Sequence, residues 1–180
     1  MSFQVDIGFG DAVTPKPERA VIPSFLDFAD TQLNVYPVYT VIAEKFQVMV
    51  ALGLANSRIK DFCDIWVIAT SLPLEGQLLA DAISATFARR DTAIVDSLLT
   101  VFSDEFGQNV NKKKQWAAFV MKNSLECDLT FVELMDQLQK CLQPIYQAVL
   151  QNKKFDRQWN IASWQWLVMS KSDRNGALDV

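Results

Sequence analysis

The sequence predicts an α+β protein in which a small N-terminal β-sheet precedes a predominantly helical remainder. Three observations carry that expectation. The first ten residues alternate with a period of two, the apolar spacing changes to three and four residues from Val38 onward, and only six Gly and six Pro interrupt 180 residues. That length suffices for one domain with a proper hydrophobic core, and half of the residues are apolar.

Phe3, Val5, Ile7 and Phe9 alternate with Gln4, Asp6, Gly8 and Gly10, which reads as a strand with one buried face. On its other face Asp6 stands beside two positions without side chains, so a ligand can approach the carboxylate closely; a solvent-facing Asp on an edge strand fits the pattern equally well. Pro15 and Pro17 make 11–19 a loop, and Ala20–Ile22 and Gln32–Tyr36 are short candidate strands around an acidic turn at Asp27 and Asp30. So meagre a sheet looks like the edge of something larger, because isolated hairpins are marginal in water.

Val38, Ile42, Phe46, Met49 and Val50 then define a helix that Gly53 stops, and Asn56 or Ser57 caps a second one running to Ser71, ahead of Pro73. The second helix carries Ile59, Phe62, Cys63, Trp66 and Thr70 on one stripe, with Ile65 and Ile68 opposite beside Asp61 and Asp64. It should therefore be buried on both sides, with two carboxylates inside. Further helices are expected over Glu75–Arg89, Asp96–Phe106, Lys112–Asn123 and Phe131–Asn152, the last bent or interrupted near Pro144. Thr130 with Glu133 has the form of a capping box, and Lys112, Lys113 and Lys114 read as the solvated start of a helix. Trp66, Phe87, Trp116, Phe119 and Trp159 are expected in the core.

Composition removes several chemistries. Without histidine there is no Ser-His-Asp or Cys-His pair and no His-ligated zinc, so any catalysis must run on carboxylates, lysines, arginines or backbone. Three separated cysteines, Cys63, Cys127 and Cys141, indicate neither a disulfide framework nor a zinc ribbon, and suit reduced thiols in a cytoplasmic protein. Charge-free stretches such as 34–43 and 160–170 are shorter than the roughly 20 residues that span a bilayer, so no membrane association is expected. A net charge of −4 argues against non-specific or sequence-specific DNA binding.

Four charged positions lie in apolar surroundings: Asp6, Lys45, Asp61 and Asp64. Burying any of them alone is costly, so they should converge, and the i, i+3 spacing of Asp61 and Asp64 puts both on one helical face. They can together face a cation, an arginine or a substrate proton. Alternatively, Lys45 and Lys60 neutralise the two aspartates as a structural network.

The strings Val5-Asp6-Ile7-Gly8-Phe9-Gly10-Asp11, Tyr36-Pro37 with Val41-Ile42-Ala43-Glu44-Lys45, and Ser57-Arg58-Ile59-Lys60-Asp61-Phe62-Cys63-Asp64-Ile65-Trp66 closely resemble motifs of the AbiEii/AbiGii family of nucleotidyltransferase-like toxins. The likeness continues through Ala85–Arg90 and the Trp116 and Trp159 regions. It implies a nucleotidyltransferase fold, transfer of a nucleotide from a nucleoside triphosphate (NTP) to an RNA or protein hydroxyl, Mg²⁺ held by aspartates, a cognate antitoxin and a link to phage defence. By this resemblance Asp6 is a metal carboxylate on the strand after the metal-binding pair. Lys45 holds phosphate with Lys60 nearby, Asp61 is the base or hydroxyl-orienting group, and Asp64 supports it.

The family's G-[GS]-[ST] turn and R-x-S-x-D-[IL]-D strand occur nowhere in these residues. The expectation is accordingly a truncated, C-terminal portion: 1–37 a remnant of the nucleotidyltransferase sheet, 38–170 a helical region packed on it, and 171–180 a flexible tail. Such a chain is inactive alone, or else serves as a non-catalytic helical module that binds an antitoxin or other partner.

Overall fold

A computed structural model describes residues 10, 12–25, 27–95 and 99–168. Among them the order is β1 (Glu18–Ile22), β2 (Thr31–Val35), α1 (Val38–Leu52), α2 (Ile59–Ser71), α3 (Gly76–Arg89), α4 (Asp104–Gly107), α5 (Val110–Lys122), α6 (Phe131–Leu150), β3 (Arg157–Asn160) and β4 (Gln165–Val168). The class is α+β, with helices dominant and, among the described residues, two separate two-stranded antiparallel sheets. The strand expected over residues 3–9, with Asp6, and the expected tail 171–180 lie outside the described residues.

Each helix has a local reason to start or stop. Gly53 ends α1 in the left-handed region (φ 48°), which a residue with a Cβ adopts at a cost. Gly76 opens α3 where an added Cβ would lie 2.4 Å from Phe155 Cδ1 and 2.8 Å from the Phe155 carbonyl, so only glycine permits that approach. Asn109 Oδ1 accepts from the Asn111 and Lys112 amides at the start of α5. The capping box of α6 is present: Glu133 N donates to Thr130 Oγ1 at 3.3 Å, and Thr130 N donates to Glu133 Oε2 at 2.8 Å.

α1 packs on α3, α3 on α6, and α2 on α6 and α5, giving one continuous core. Phe46 centres one aromatic group, with Phe87 at 5.8 Å and Tyr146 and Phe102 at 6.0 Å. Phe62, Phe106 and Phe131 form a second. The third belongs to the β3–β4 hairpin, where Trp159 lies 5.1 Å from Trp164 and 5.2 Å from Trp166. The stretch Val38–Ala55 is, by length and composition, apolar enough to cross a membrane, although it contains Glu44 and Lys45 and one face of it packs on α3.

Four expectations change. The helix expected over Asp96–Phe106 is, from Leu99 onward, a 3-10 turn at Thr100–Phe102 followed by the short α4, because Ser103 caps a new helix by accepting from Phe106 N. Helix α6 is not interrupted at Pro144: proline removes one backbone donor, and the buried row Leu138, Cys141, Leu142, Ile145 and Tyr146 holds both sides of it. The tryptophan-rich end forms a hairpin that had no expected element. Trp66 and Phe119 are only half-buried, whereas Phe87, Trp116 and Trp159 are core residues.

Candidate functional site

The apolar faces of α1 and α2 bring the three expected helix residues together. Lys45 Nζ lies 2.9 Å from Asp61 Oδ1 and 2.7 Å from Asp64 Oδ2. Arg58 Nε donates to the other Asp61 oxygen at 2.6 Å, and Lys60 Nζ reaches Asp64 Oδ2 at 2.6 Å. Asp61 is 3 % exposed, so both its oxygens are desolvated and both are met by a charged donor, as a buried carboxylate requires. Asp64 and Lys45 are half-buried.

Burial works against the charge on Lys45, but its hydrogen bonds to Asp64 and Asp61 outweigh that penalty and hold the ammonium above the ordinary lysine value. Burial likewise opposes ionisation of Asp64; Lys45 and Lys60 overcome it, and the carboxyl lies below its usual range. Lys45 and Asp64 are thus both charged at neutral pH.

This ion-pair group borders a cleft of about 390 Å³ lined by Tyr36, Glu44, Lys45, Arg58, Asp61 and Arg90, a volume suited to a small ligand. Arg90 bonds to Gln47 Oε1 at 3.0 Å and stands 3.9 Å from Glu44. Two of the three donors of Lys45 are engaged by the aspartates, which leaves one for a ligand oxygen. Donors of this kind fit phosphate.

They do not fit a divalent metal. Among the described residues no three Asp, Glu or Cys side chains converge to hold one, and Asp61 and Asp64 already face cations. Asp6 falls outside the described residues. Sequence reasoning missed the roles of Arg58 and Arg90; for Arg58 the signal was available, since it precedes Asp61 by three residues.

Lys112 corrects another expectation. The amine that read as solvated is 5 % exposed, donates to the Asn56 carbonyl and lies 5.5 Å from the centre of the Phe106 ring; burial pushes its pKa down. Asn56 Oδ1 in turn accepts from Arg58 N at 2.8 Å, so α5 helps to fix the turn that carries Arg58.

The cleft combines Lys45, Arg58 and Arg90 with Glu44 and Asp61, on helices that follow a short strand pair. The chain belongs to the AbiEii family, nucleotidyl transferase toxins of type IV toxin–antitoxin systems, whose model matches residues 1–151. Chemistry of this class typically uses an NTP and a metal, and a family of toxin–antitoxin systems implies an antitoxin as counterpart. No curated protein and no solved structure matches the chain.

Proposed function

We propose that this chain supplies the helical half of a nucleotidyltransferase site that moves a nucleotide from an NTP to a hydroxyl on an RNA or protein acceptor. One observation carries the reading: Asp61, Lys45 and Arg58 meet at a cleft with a phosphate-sized set of donors, and Asp61 is almost wholly buried there. Lys45, with Arg58 and Arg90 in the same cleft, offers positive charge to a triphosphate. Each Asp61 oxygen keeps an accepting lone pair beyond its one bonded cation, so the carboxylate can orient an acceptor hydroxyl and take its proton. Asp64, tied to Lys45 and Lys60, holds the Lys45 ammonium in register.

The aspartate pair that would position Mg²⁺ is, in this reading, contributed from outside these 180 residues, since no S-x-D-x-D string occurs in them. When bound, the metal supplies charge neutralisation and alignment of the transferred phosphoryl group. Incubation with each labelled NTP, Mg²⁺ or Mn²⁺ and total RNA or protein tests the proposal. Transfer is expected from a chain extended upstream in its own reading frame, lost on Asp61→Ala, and absent from the 180-residue chain. Transfer by the short chain that Asp61→Ala abolishes would refute the shared-site reading.

A second reading, a non-catalytic module for an antitoxin, is favoured by the exposed apolar side chains of the first hairpin, among them Phe25, Phe28, Ile22 and Leu33. A stable complex with the antitoxin, with no transfer from either chain length, would select it.

A further inference from the structure

We infer that the groove between the start of α2 and the outer face of α5 binds the phosphodiester backbone of a single-stranded nucleic acid, the acceptor in the reaction proposed above, on which this inference rests. The groove encloses about 440 Å³ and is lined by Arg58, Lys60, Gln115, Phe119 and Lys122 among others, and no acidic side chain lines it. Three of its lining side chains are basic, in a chain with 21 acidic and 17 basic residues. Helix α5 supplies the reason: it carries Lys112, Lys113, Lys114 and Lys122 and has no Asp or Glu anywhere in its length.

The groove residues of α5 recur at helical spacing. Gln115, Phe119 and Lys122 share one face, to which Lys114 is adjacent and exposed. From 115 to 122 the helix rises about 10 Å, a span for roughly two or three successive nucleotides. On the opposite wall Arg58 and Lys60 keep most of their side chains exposed while each holds an aspartate with one donor. Arg58 uses only Nε on Asp61, so both terminal nitrogens of its guanidinium remain for phosphate.

Position turns this charge into a specific site. Arg58 lines both this groove and the Asp61 cleft, so a strand lying along α5 would deliver its end to the buried carboxylate. An acidic chain overall does not attract nucleic acid over its whole surface, which confines binding to this track. A polypeptide acceptor has no regular series of anions to match it.

The test is fluorescence anisotropy of a labelled 12-nucleotide single-stranded RNA and its DNA counterpart with the 180-residue chain, from low to physiological salt. Lys122→Glu and Gln115→Glu, both exposed and checked for folding by circular dichroism, should each weaken binding about tenfold or more, and Lys122→Glu, which removes a cation, should also lower the salt slope by about one contact, near 0.7 per phosphate for single strands. Lys154→Glu, an exposed charge outside the groove, should leave both unchanged. Tighter binding of RNA than of DNA names RNA as the source of the phosphates; equal binding supports the backbone site with either strand. Equal losses for Lys154→Glu and Lys122→Glu, or no binding by the folded chain at low salt, would overturn the inference. So would displacement of the RNA by ATP together with loss of ATP binding in Lys122→Glu, which would make the groove a triphosphate site. Asp61→Asn, which keeps an amide oxygen to accept from Arg58 Nε, separates the two readings: it should abolish transfer by the extended chain while the strand binding that Lys122→Glu weakens persists.

Discussion

The two hairpins are nearly the same size, five-residue strands in β1–β2 and four-residue strands in β3–β4, yet they stand in opposite relations to the core. In β3–β4, Trp159 is 1 % exposed and donates its indole N–H to the Ala69 carbonyl of α2 at 2.9 Å, while Trp166 donates to the Cys141 carbonyl of α6 at 2.9 Å. The hairpin is nailed to two helices through polar tips on large apolar bodies. In β1–β2 the pairs Ala20↔Leu33 and Ile22↔Thr31 put apolar groups on one face, but Ile22 and Leu33 are exposed and Phe25 is 99 % exposed. The flanking chain is instead clipped from below, by Thr14 N to Thr40 Oγ1 at 3.0 Å and by Arg89 Nε to the Gly10 carbonyl at 2.6 Å. Strand pairing alone therefore does not integrate a hairpin; side chains that reach another layer do.

The sharpest way to break this contrast is Trp159→Ala. Removing a buried indole and leaving the Ala69 carbonyl without that donor should cost about 3–5 kcal/mol, read as a lower urea midpoint, and should expose the neighbouring face of α2 to hydrogen exchange. A smaller effect distinguishes the two ends of the molecule by pH. The folded-state carboxyl of Asp64 is depressed, so its contribution is complete above the ordinary carboxylate value and fades as pH falls through the lower folded value. The ammonium of Lys45 is raised, so its contribution is complete below the ordinary lysine value and fades as pH climbs through the higher folded one. Stability on this account is flat from about pH 5 to pH 9. Acid should loosen amides of α1 and α2 around the ion pairs before those of β3–β4, as native-state hydrogen exchange would record; simultaneous loss at both places would disprove the assignment. The smallest effect is expected from Phe25→Ser, within about 0.5 kcal/mol in thermal unfolding, because nothing packs on that ring.

The sequence made the long helices readable because each buries a stripe at helical spacing, and α1 and α2 also stop at residues that cannot continue a helix, Gly53 and, just beyond Leu72, Pro73. Convergence of Lys45, Asp61 and Asp64 was readable for a related reason: charges in apolar stripes must find each other. What escaped was set by long-range packing. The Trp159 hairpin is four residues per strand, too short for a periodic signal, and it forms because α2 and α6 offer carbonyls at the right places. Lys112 escaped because three consecutive lysines look alike in one dimension, and only the helix phase turns one of them inward beneath Phe106.

That inward lysine also offers a way to watch the protein breathe. An acylating reagent reaches the exposed amines of Lys114 and Lys122 directly, but it can modify Lys112 only when α5 lifts away from the Asn56 turn. Mass-spectrometric labelling of that single amine, followed in time, would report how often the wall carrying Arg58 comes loose from its support.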